Sequence, residues 1–531
     1  MQTDGLHRPN HNGHLIAESL RRHADRTVLS SGSGTYTGAQ LADEVSRYLQ
    51  GFEDLGAGTG STVAILSGNR PEVVIDIAAT HIGGYQRVAL HPLGSLDDHA
   101  YILDDAGVTS LIIEPTPEYV QRALALLDRV AALRQILTFG PVPPELAHSA
   151  TDIVAHAATF TPRQPAAAAL PPEHITSLVY TGGTTGRPKG VQLSAGSYFT
   201  MTTIQLAEWE WPDRPRFLSC TPLSHAGAAF VTPVLVKGGT LVLMPRFDAA
   251  AVLETIEKER VTALMLVPSM IYALLDHPDL RTRDVSSLQI VYYGAAAINP
   301  ARLAEAIEHF GPIFAQYYGQ SEAPMAITYL PTYRHEGPRH TSCGRPTQFA
   351  RCAILGDDEE LVRPGEVGEI CVSGPLLGHG YRNQPRVTGE TFRAGWLHTG
   401  DLAREDQDGY WYIVDRIKDM IVTGGFNVFP REVEDVISEH PDVEQVCVVG
   451  TPDEKWGEAV TAVVVVRSAA RRAAGFVEEL TAEIQAAVRN RKGPVQSPKR
   501  VVVLDSIPLT GLGKPDKKAV RSLLESPTAT E

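Results

Sequence analysis

Four glycines, three threonines and two cations are gathered in the run Tyr180-Thr-Gly-Gly-Thr-Thr-Gly-Arg-Pro-Lys-Gly-Val191, directly after the apolar stretch Ser177-Leu-Val-Tyr180. Glycine permits positive φ and the close approach of a ligand to the backbone. Threonine hydroxyls and free backbone N–H groups are donors, and Arg187 and Lys189 add positive charge. A loop of this composition after a strand suits a polyphosphate. It is no Walker A loop, since no G-x-x-x-x-G-K-[ST] register fits. The plainer alternative is a surface turn built from the same residues.

Other groups could complete a nucleotide site. Gln316-Tyr-Tyr-Gly-Gln-Ser-Glu322 follows the apolar run Ile313-Phe-Ala315. An acid beside hydroxyl and aromatic groups at a strand end can hold a metal–nucleotide, and one glutamate suffices for Mg²⁺ because phosphate oxygens supply further ligands. Asp401 closes Trp396-Leu-His-Thr-Gly-Asp401, and Arg416 stands fifteen residues further on, with a strand hairpin between them. A carboxylate there can accept hydrogen bonds from the cis hydroxyls of a ribose, and an arginine can brace it. Val291-Tyr-Tyr-Gly-Ala-Ala-Ala297 ends in small residues that let a planar ring approach. His225, in Pro222-Leu-Ser-His-Ala-Gly227, could be a general base. Chemistry on a group already ionised at neutral pH would need no such base, however. Each group has a structural alternative: a solvated acid for Glu322, a packed strand end for Gly294 to Ala296, a turn and ion pair for Asp401 and Arg416, and a core imidazole for His225.

These motifs, in this order, resemble those of the adenylate-forming superfamily of acyl-CoA synthetases, peptide-synthetase adenylation domains and beetle luciferases, and among them the fatty-acyl-CoA ligases most. The similarity runs from about residue 14 to about residue 524. The resemblance implies that Thr181, Gly182, Gly183, Thr184, Thr185, Gly186 and Lys189 cradle the phosphates of ATP. It places Gly294, Ala295, Ala296, Tyr317, Tyr318 and Gly319 around adenine and gives Ser321 the α-phosphate. Glu322 then binds Mg²⁺, while Asp401 and Arg416 take the ribose. Gln320 stands where the family often has Thr, which leaves that contact open. Lys514, after the glycine-rich Pro508-Leu-Thr-Gly-Leu-Gly, matches the catalytic lysine, and a cation there would stabilise charge developing in the transition state. Lys517 and Lys518 read as solvated surface charges. Lys418 matches the hinge, His225 a gate, and Gly424 and Gly425 of Thr423-Gly-Gly-Phe-Asn-Val-Phe-Pro430 the CoA pantetheine tunnel. No carrier domain or phosphopantetheine serine follows. ATP, Mg²⁺ and CoA are the implied cofactors, and the reaction is carboxylate to acyl-AMP to acyl-CoA.

The acid is less defined. Ala226, Gly227, Ala228, Ala229, Ser269, Met270, Pro324 and Met325 fall near the family's acyl pocket. Small residues and methionines suggest an apolar space of some length, which favours a medium- or long-chain fatty acid. Two other readings remain: an adenylating enzyme for an unusual acid such as nitrite with an amine acceptor, or for an aryl or other carboxylic acid; and a nucleotide-binding protein without catalysis. The presence of both Glu322 and Lys514 speaks against the last.

The elements that must position these groups follow from length and pattern. At 531 residues the chain is too long for one core. Its hydrophobic fraction of 43% and charged fraction of 21% are those of a soluble globular protein. A formal net charge of −15 argues against nonspecific nucleic-acid binding. Five cysteines without C-x-x-C spacing read as core residues of a reducing compartment, not as a disulfide framework or zinc site. No signal pattern or long apolar run appears, so the default is cytoplasmic without a transmembrane segment, and self-association into a homodimer stays open.

Short β runs such as Thr62-Val-Ala-Ile-Leu66, Arg87-Val-Ala-Leu90 and Ser110-Leu-Ile-Ile113 alternate with helical stretches such as Leu96–Ala106, which predicts βαβ units and mainly parallel sheets. The Pro- and Ala-rich segment 162–172 reads as a connector. The expected class is α/β: a large N-terminal domain over residues 1–415, which the resemblance divides into two α/β subdomains plus a distorted β-barrel. A hinge at 416–419 and a small mobile α+β lid at 420–531 follow. Within the lid, a helix over Pro430–His440, strands over Val443–Gly450 and Ala459–Val466, and a helix near 474–490 are predicted.

Overall fold

A computed structural model describes residues 10–181, 187–467, 475–509 and 515–525. Four sheets organise them, three within a large N-terminal part and one within a smaller C-terminal part. The first sheet has seven strands in the order Ala150–Asp152, Gln135–Thr138, Ser110–Ile113, Thr62–Leu66, Gln86–Ala89, Ile175–Thr181, Lys189–Ser194. Its pairs are parallel except the last, where the strand leading into the glycine-rich loop returns antiparallel on itself. The second sheet has nine strands, and its centre, Thr240–Leu243, Arg216–Ser219, Ala263–Leu266, Ile290–Tyr293 and Phe314–Gln320, is parallel throughout.

Central parallel strands are buried on both faces, so their sequences are unbroken apolar runs. Ala-Leu-Met-Leu at 263–266 and Ile-Val-Tyr-Tyr at 290–293 are buried at every position. The crossover helices start and stop on local signals. The helix Leu96–Ala106 begins where Ser95 Oγ accepts from Asp98 N and ends at Gly107, whose φ of 67° a Cβ would disfavour. The helix Gly38–Asp54 opens on a capping box between Thr37 and Gln40. In an open parallel sheet, ligands meet the carboxyl ends of the strands. The ends after Ser219, Tyr293 and Gln320 therefore form one working edge of the second sheet, and the end after Thr181 is the corresponding edge of the first.

The third element, the expected distorted barrel, corresponds to a five-stranded antiparallel sheet of Arg351–Leu355, Gly368–Ser373, Trp396–Glu405, Phe392–Arg393 and Trp411–Arg416. The last of these strands ends at Arg416, a single helical turn spans Ile417–Asp419, and the next strand, Ile421–Thr423, belongs to a different sheet. That fourth sheet joins Phe426–Val428, Gly457–Val466, Val443–Asp453 and Arg500–Leu504, covered by the helices Pro430–Ser438 and Phe476–Lys492. Its core, including Val433, Ile437, Val448, Val464 and Ile484, is separate from those of the other sheets. The strands run longer than their apolar segments predict, because Val443–Asp453 and Gly457–Val466 form one continuous hairpin that carries Pro452 and Glu458 into the ladder. No helix among the described residues is long and apolar enough to cross a membrane.

Candidate active site

The tightest polar cluster on the working edge centres on Asp401. Asp401 and Arg416 lie directly opposite each other on neighbouring antiparallel strands, which is what a spacing of fifteen with an intervening turn produces. Arg416 Nε donates to Asp401 Oδ1 at 2.9 Å, and the Tyr318 hydroxyl donates to Oδ2 at 2.6 Å. Burial and the neighbouring carboxylate push the Tyr318 phenol far up, so it remains a donor. Gln320 Nε2 donates to Thr399 O at 3.3 Å, which settles its contact in this structure as a brace between the two strand ends. Tyr318 alternates with Tyr317 along the strand, and alternation sends the two rings to opposite faces. Tyr317, expected at the nucleotide, is instead turned into the core, where its ring stacks on Trp209 at 5.3 Å.

Three residues missed by the sequence reading hold this cluster. Glu369 Oε1 accepts from Gly400 N at 2.8 Å, and Glu369 Oε2 lies 2.7 Å from His398 Nδ1. Both hold the turn at Gly400, whose φ is 72° and which aims Asp401 inward. With Cys371 they form a trio within 4.8 Å that has metal-ligating residue types. Burial pushes the Cys371 thiol up to about 12, and both Glu369 oxygens are already engaged, so the trio is a brace. The third is Tyr381, whose hydroxyl donates to Glu322 Oε1 at 2.6 Å. Glu322 is only 9% exposed, and its backbone carbonyl accepts from Gly378 N at 2.8 Å. A lone glutamate within the apolar strand Gly368–Ser373 was a readable signal for Glu369. Tyr381 carried none, because its pairing with Glu322 spans fifty-nine residues.

The cations gather nearby. Thr181 and Lys189 are cross-strand partners at the neck of the glycine-rich loop, and Lys189 Nζ lies 5.2 Å above the Tyr381 ring. Lys418 is lowered from its ordinary value by burial and then by Arg416, with Lys189 adding to the effect. Lys189, Arg416 and Lys418 therefore share one field, with Asp401 and Asp419 opposing it. Arg187 does not join them, since its guanidinium sits 5.4 Å above the Tyr101 ring. Gly182, Gly183, Thr184, Thr185, Gly186 and Lys514 lie outside the described residues.

At the small-residue strand end, Gly294 is required by packing: a Cβ there would meet Tyr317 O at 2.5 Å. Ala295 follows with φ of 64°, and Met325 across the site has φ of 55°. Strain of this kind in non-glycine residues costs of order 1–3 kcal/mol and clusters at functional sites. Gly319 explains part of it, because a Cβ on it would meet Met325 N at 2.4 Å. Ser321 is half-buried in the turn between Gln320 and Glu322.

His225 precedes the turn Ala226–Phe230. Its Nδ1 lies 2.9 Å from Ser224 Oγ, and its ring meets the His91 ring edge-on at 4.8 Å. Burial, then His91 and Arg87, push it down to about 4, so it is neutral near pH 7 and poorly matched to a basic role. Ala226, Ala228, Ala229 and buried Met325 pack on one core, and Gly227 is demanded by Thr221 O and Pro222 O, each within 3 Å of a would-be Cβ. Pro324 is buried beside Met325, whereas Ser269 is exposed and Met270 packs on a different core, on the helix Pro268–Leu275. Phe230 closes the turn Ala226–Phe230 and meets Trp209 at 6.0 Å and Tyr292 at 5.3 Å, so the core it enters is more aromatic than the alanines' own sequence suggests.

Two more corrections concern the C-terminal part. Lys517, read as solvated, has a side chain only 19% exposed, and its Nζ lies 3.3 Å from Glu434 Oε1. Lys518 is exposed as expected. Gly424 has φ of 57° and abuts the Trp456 ring, while Gly425 has φ of 83° with open space at its Cβ position. All five cysteines are free, and none is close to another ligand set beyond the Glu369 trio among the described residues.

Comparison with known proteins decides what this arrangement belongs to. The family model described as AMP-binding enzyme matches residues 16–382, and that of the AMP-binding enzyme C-terminal domain matches 432–514. The chain belongs to the AMP-binding enzyme family. It is 66% identical over 517 residues to a medium/long-chain-fatty-acid–CoA ligase of Mycobacterium tuberculosis, covering 97% of this chain and 90% of that one. A feruloyl-CoA synthase of Amycolatopsis is 36% identical over 93% of this chain and 95% of its own. Among solved structures, the amide bond synthetase McbA from Marinactinospora thermotolerans superposes with a TM-score of 0.86 at 33% identity, over 97% and 99% of the two chains. The protein is thus an adenylate-forming enzyme, with that family's large N-terminal and smaller C-terminal parts.

Proposed function

We propose that this family member is an AMP-forming acid–thiol ligase that converts a medium- or long-chain fatty acid into its CoA thioester in the cytoplasm. The observation that carries the reading is the 66% identity, along nearly the whole of both chains, to a ligase for such acids. The division proposed is a nucleotide- and acid-binding domain at 1–415, a hinge at 416–419 with Lys418 at its pivot, and a lid at 420–531.

In the first half-reaction Asp401 takes the ribose hydroxyls with Arg416 and Tyr318 orienting it, and the strand end Gly294–Ala296 lies along adenine. Thr181 to Gly186 and Lys189 hold the β- and γ-phosphates, and Ser321 the α-phosphate. The donor set at Glu322 fits Mg²⁺: a hard, nearly buried carboxylate already oriented by Tyr381, to which phosphate oxygens would add the further ligands. When bound, the ion would neutralise charge on the phosphates. The ionised acid attacks the α-phosphorus, pyrophosphate leaves, and Lys514 balances the charge that develops. The lid then turns, His225 yields the path, and the CoA thiol enters past Gly424 and Gly425 to attack the acyl carbonyl. AMP departs, and the thiol proton goes to solvent.

Tyr381→Phe removes only the hydroxyl that orients Glu322. We expect the Mg²⁺ concentration for half-maximal pyrophosphate exchange to rise about tenfold, on the scale of outer-sphere losses at metal sites. An unchanged Mg²⁺ titration would remove Glu322 from the metal.

A pyrophosphate-release screen across straight-chain acids, with and without CoA, tests the whole reading. Each methylene buried in an apolar site contributes up to about 0.8 kcal/mol, so specificity should climb up to about fourfold per carbon and then level off. Thioester should appear only with CoA, and Gly425→Leu should cut thioester output while exchange continues. The likeness to an amide bond synthetase makes an amine acceptor the outcome to watch. Amide formation without thioester, or a flat response to all carboxylic acids with activity on nitrite, would overturn the ligase assignment and leave the adenylating site standing.

A further inference from the structure

The core that the turn Ala226–Phe230 enters holds buried polar atoms without hydrogen-bond partners among the described residues. Gln205 and Thr202 are fully buried on the helix Ala195–Glu208, and Trp209 caps it. Neither Gln205 Nε2 nor Gln205 Oε1 meets a hydrogen-bond partner among the described residues, and the same holds for Thr202 Oγ1, Trp209 Nε1 and the Tyr317 hydroxyl. The spacing 202, 205, 209 places them along one face of the helix. That helix packs on the strand Ala323–Leu330, which carries Met325. Trp209 continues the face into an aromatic box, 5.3 Å from Tyr317, 5.2 Å from Tyr329, 5.4 Å from Tyr292 and 6.0 Å from Phe230. Tyr317 in turn lies against Gly294. Phe230, which Trp209 meets at 6.0 Å, closes the turn that carries Ala226, Ala228 and Ala229.

A buried polar group without a partner costs about 1–3 kcal/mol, and Gln205 presents two such atoms where leucine would pack at no such cost. We propose that Gln205, with Trp209 Nε1 one turn on along the same helix face and the hydroxyl of Tyr317, whose ring stacks on Trp209, selects an acid whose tail carries an oxygen function, a hydroxyl above all. Trp209 Nε1–H can only donate, whereas Gln205 both donates and accepts. A hydroxyl answers both kinds of group, a carbonyl answers only the donors, and a plain alkyl chain answers neither. The surrounding rings cover the apolar carbons on either side of the oxygen. This inference rests on the reading of Ala226 to Ala229 and Met325 as the acyl site, and it refines the acid from a fatty acid to an oxygenated one.

The test is pyrophosphate exchange by the full-length chain with decanoic acid, with decanoic acids bearing one hydroxyl at each position from mid-chain to terminus, and with the corresponding keto acids. For at least one position, kcat/KM for the hydroxy acid should exceed that for decanoic acid about tenfold or more, because a site built to bond a hydroxyl disfavours the analogue that lacks it. The keto acid should fall between. In Gln205→Leu, and in the more nearly isosteric Gln205→Met, the ratio of the two kcat/KM values should collapse toward one or invert. Both acids are measured on the same sample, so a reduced folded fraction cancels from the ratio. A wild-type ratio near one at every position overturns the proposal alone, as does a preference that survives both substitutions. Absence of exchange with every acid overturns the proposal and the ligase reading together.

Discussion

Lys514→Ala is expected to lower acyl-AMP formation by about 10² or more, the scale for losing one preorganised donor aimed at transition-state charge. Thioester formation from supplied acyl-AMP should change little, because the proposed turn of the lid between the two steps carries Lys514 away from the site. The two half-reactions are separable by pyrophosphate exchange and by thioester release from synthetic acyl-AMP. Equal loss in both would sink the assignment of this lysine to adenylation. Acylation of the same amine removes its charge, so a regulatory acetyltransferase acting there should give the same split between half-reactions.

Asp401→Asn should instead damage both half-reactions, because the nucleoside stays bound through each. The carboxylate is nearly buried and accepts from Arg416 Nε and the Tyr318 hydroxyl. An amide of the same size keeps one acceptor oxygen and turns a donor toward the other partner. Truncating one member of a buried, hydrogen-bonded charge pair costs about 2–5 kcal/mol. Arg416 is half exposed, which puts the effect at the low end, a loss of about 30-fold to 100-fold in kcat/KM for ATP. The loss should be carried mainly by KM, and the response to acid chain length should not change. An unaltered KM for ATP would leave Asp401 and Arg416 as an ion pair that happens to join two strands. The contrast with Lys514 is itself diagnostic, since one variant separates the half-reactions and the other does not.

The amino-acid sequence alone determined a good deal about this protein. The α/β class follows from buried apolar runs alternating with capped helices, because backbone hydrogen bonding and the burial period leave few other solutions for such a pattern. Thr62–Leu66, Ser110–Ile113 and the helix Leu96–Ala106 come out at the bounds their own residues predict. The opposition of Asp401 and Arg416 was legible too, since a hairpin converts a short spacing into a fixed cross-strand pair. What chain proximity could not supply was the choice of face and the distant partner. Tyr317 and Tyr318 are identical and adjacent, and only the packing of Trp209 on one side and Asp401 on the other gives them different surroundings. Lys517 looks like its exposed neighbour Lys518 until the fold brings Glu434 to it. Tyr381 reaches Glu322, and Glu369 reaches Gly400, through sheet and loop contacts that no local pattern encodes. The polar atoms around Gln205 are the extreme case: glutamine on a helix is unremarkable in sequence, and only burial on every side turns an amide into a demand for a partner.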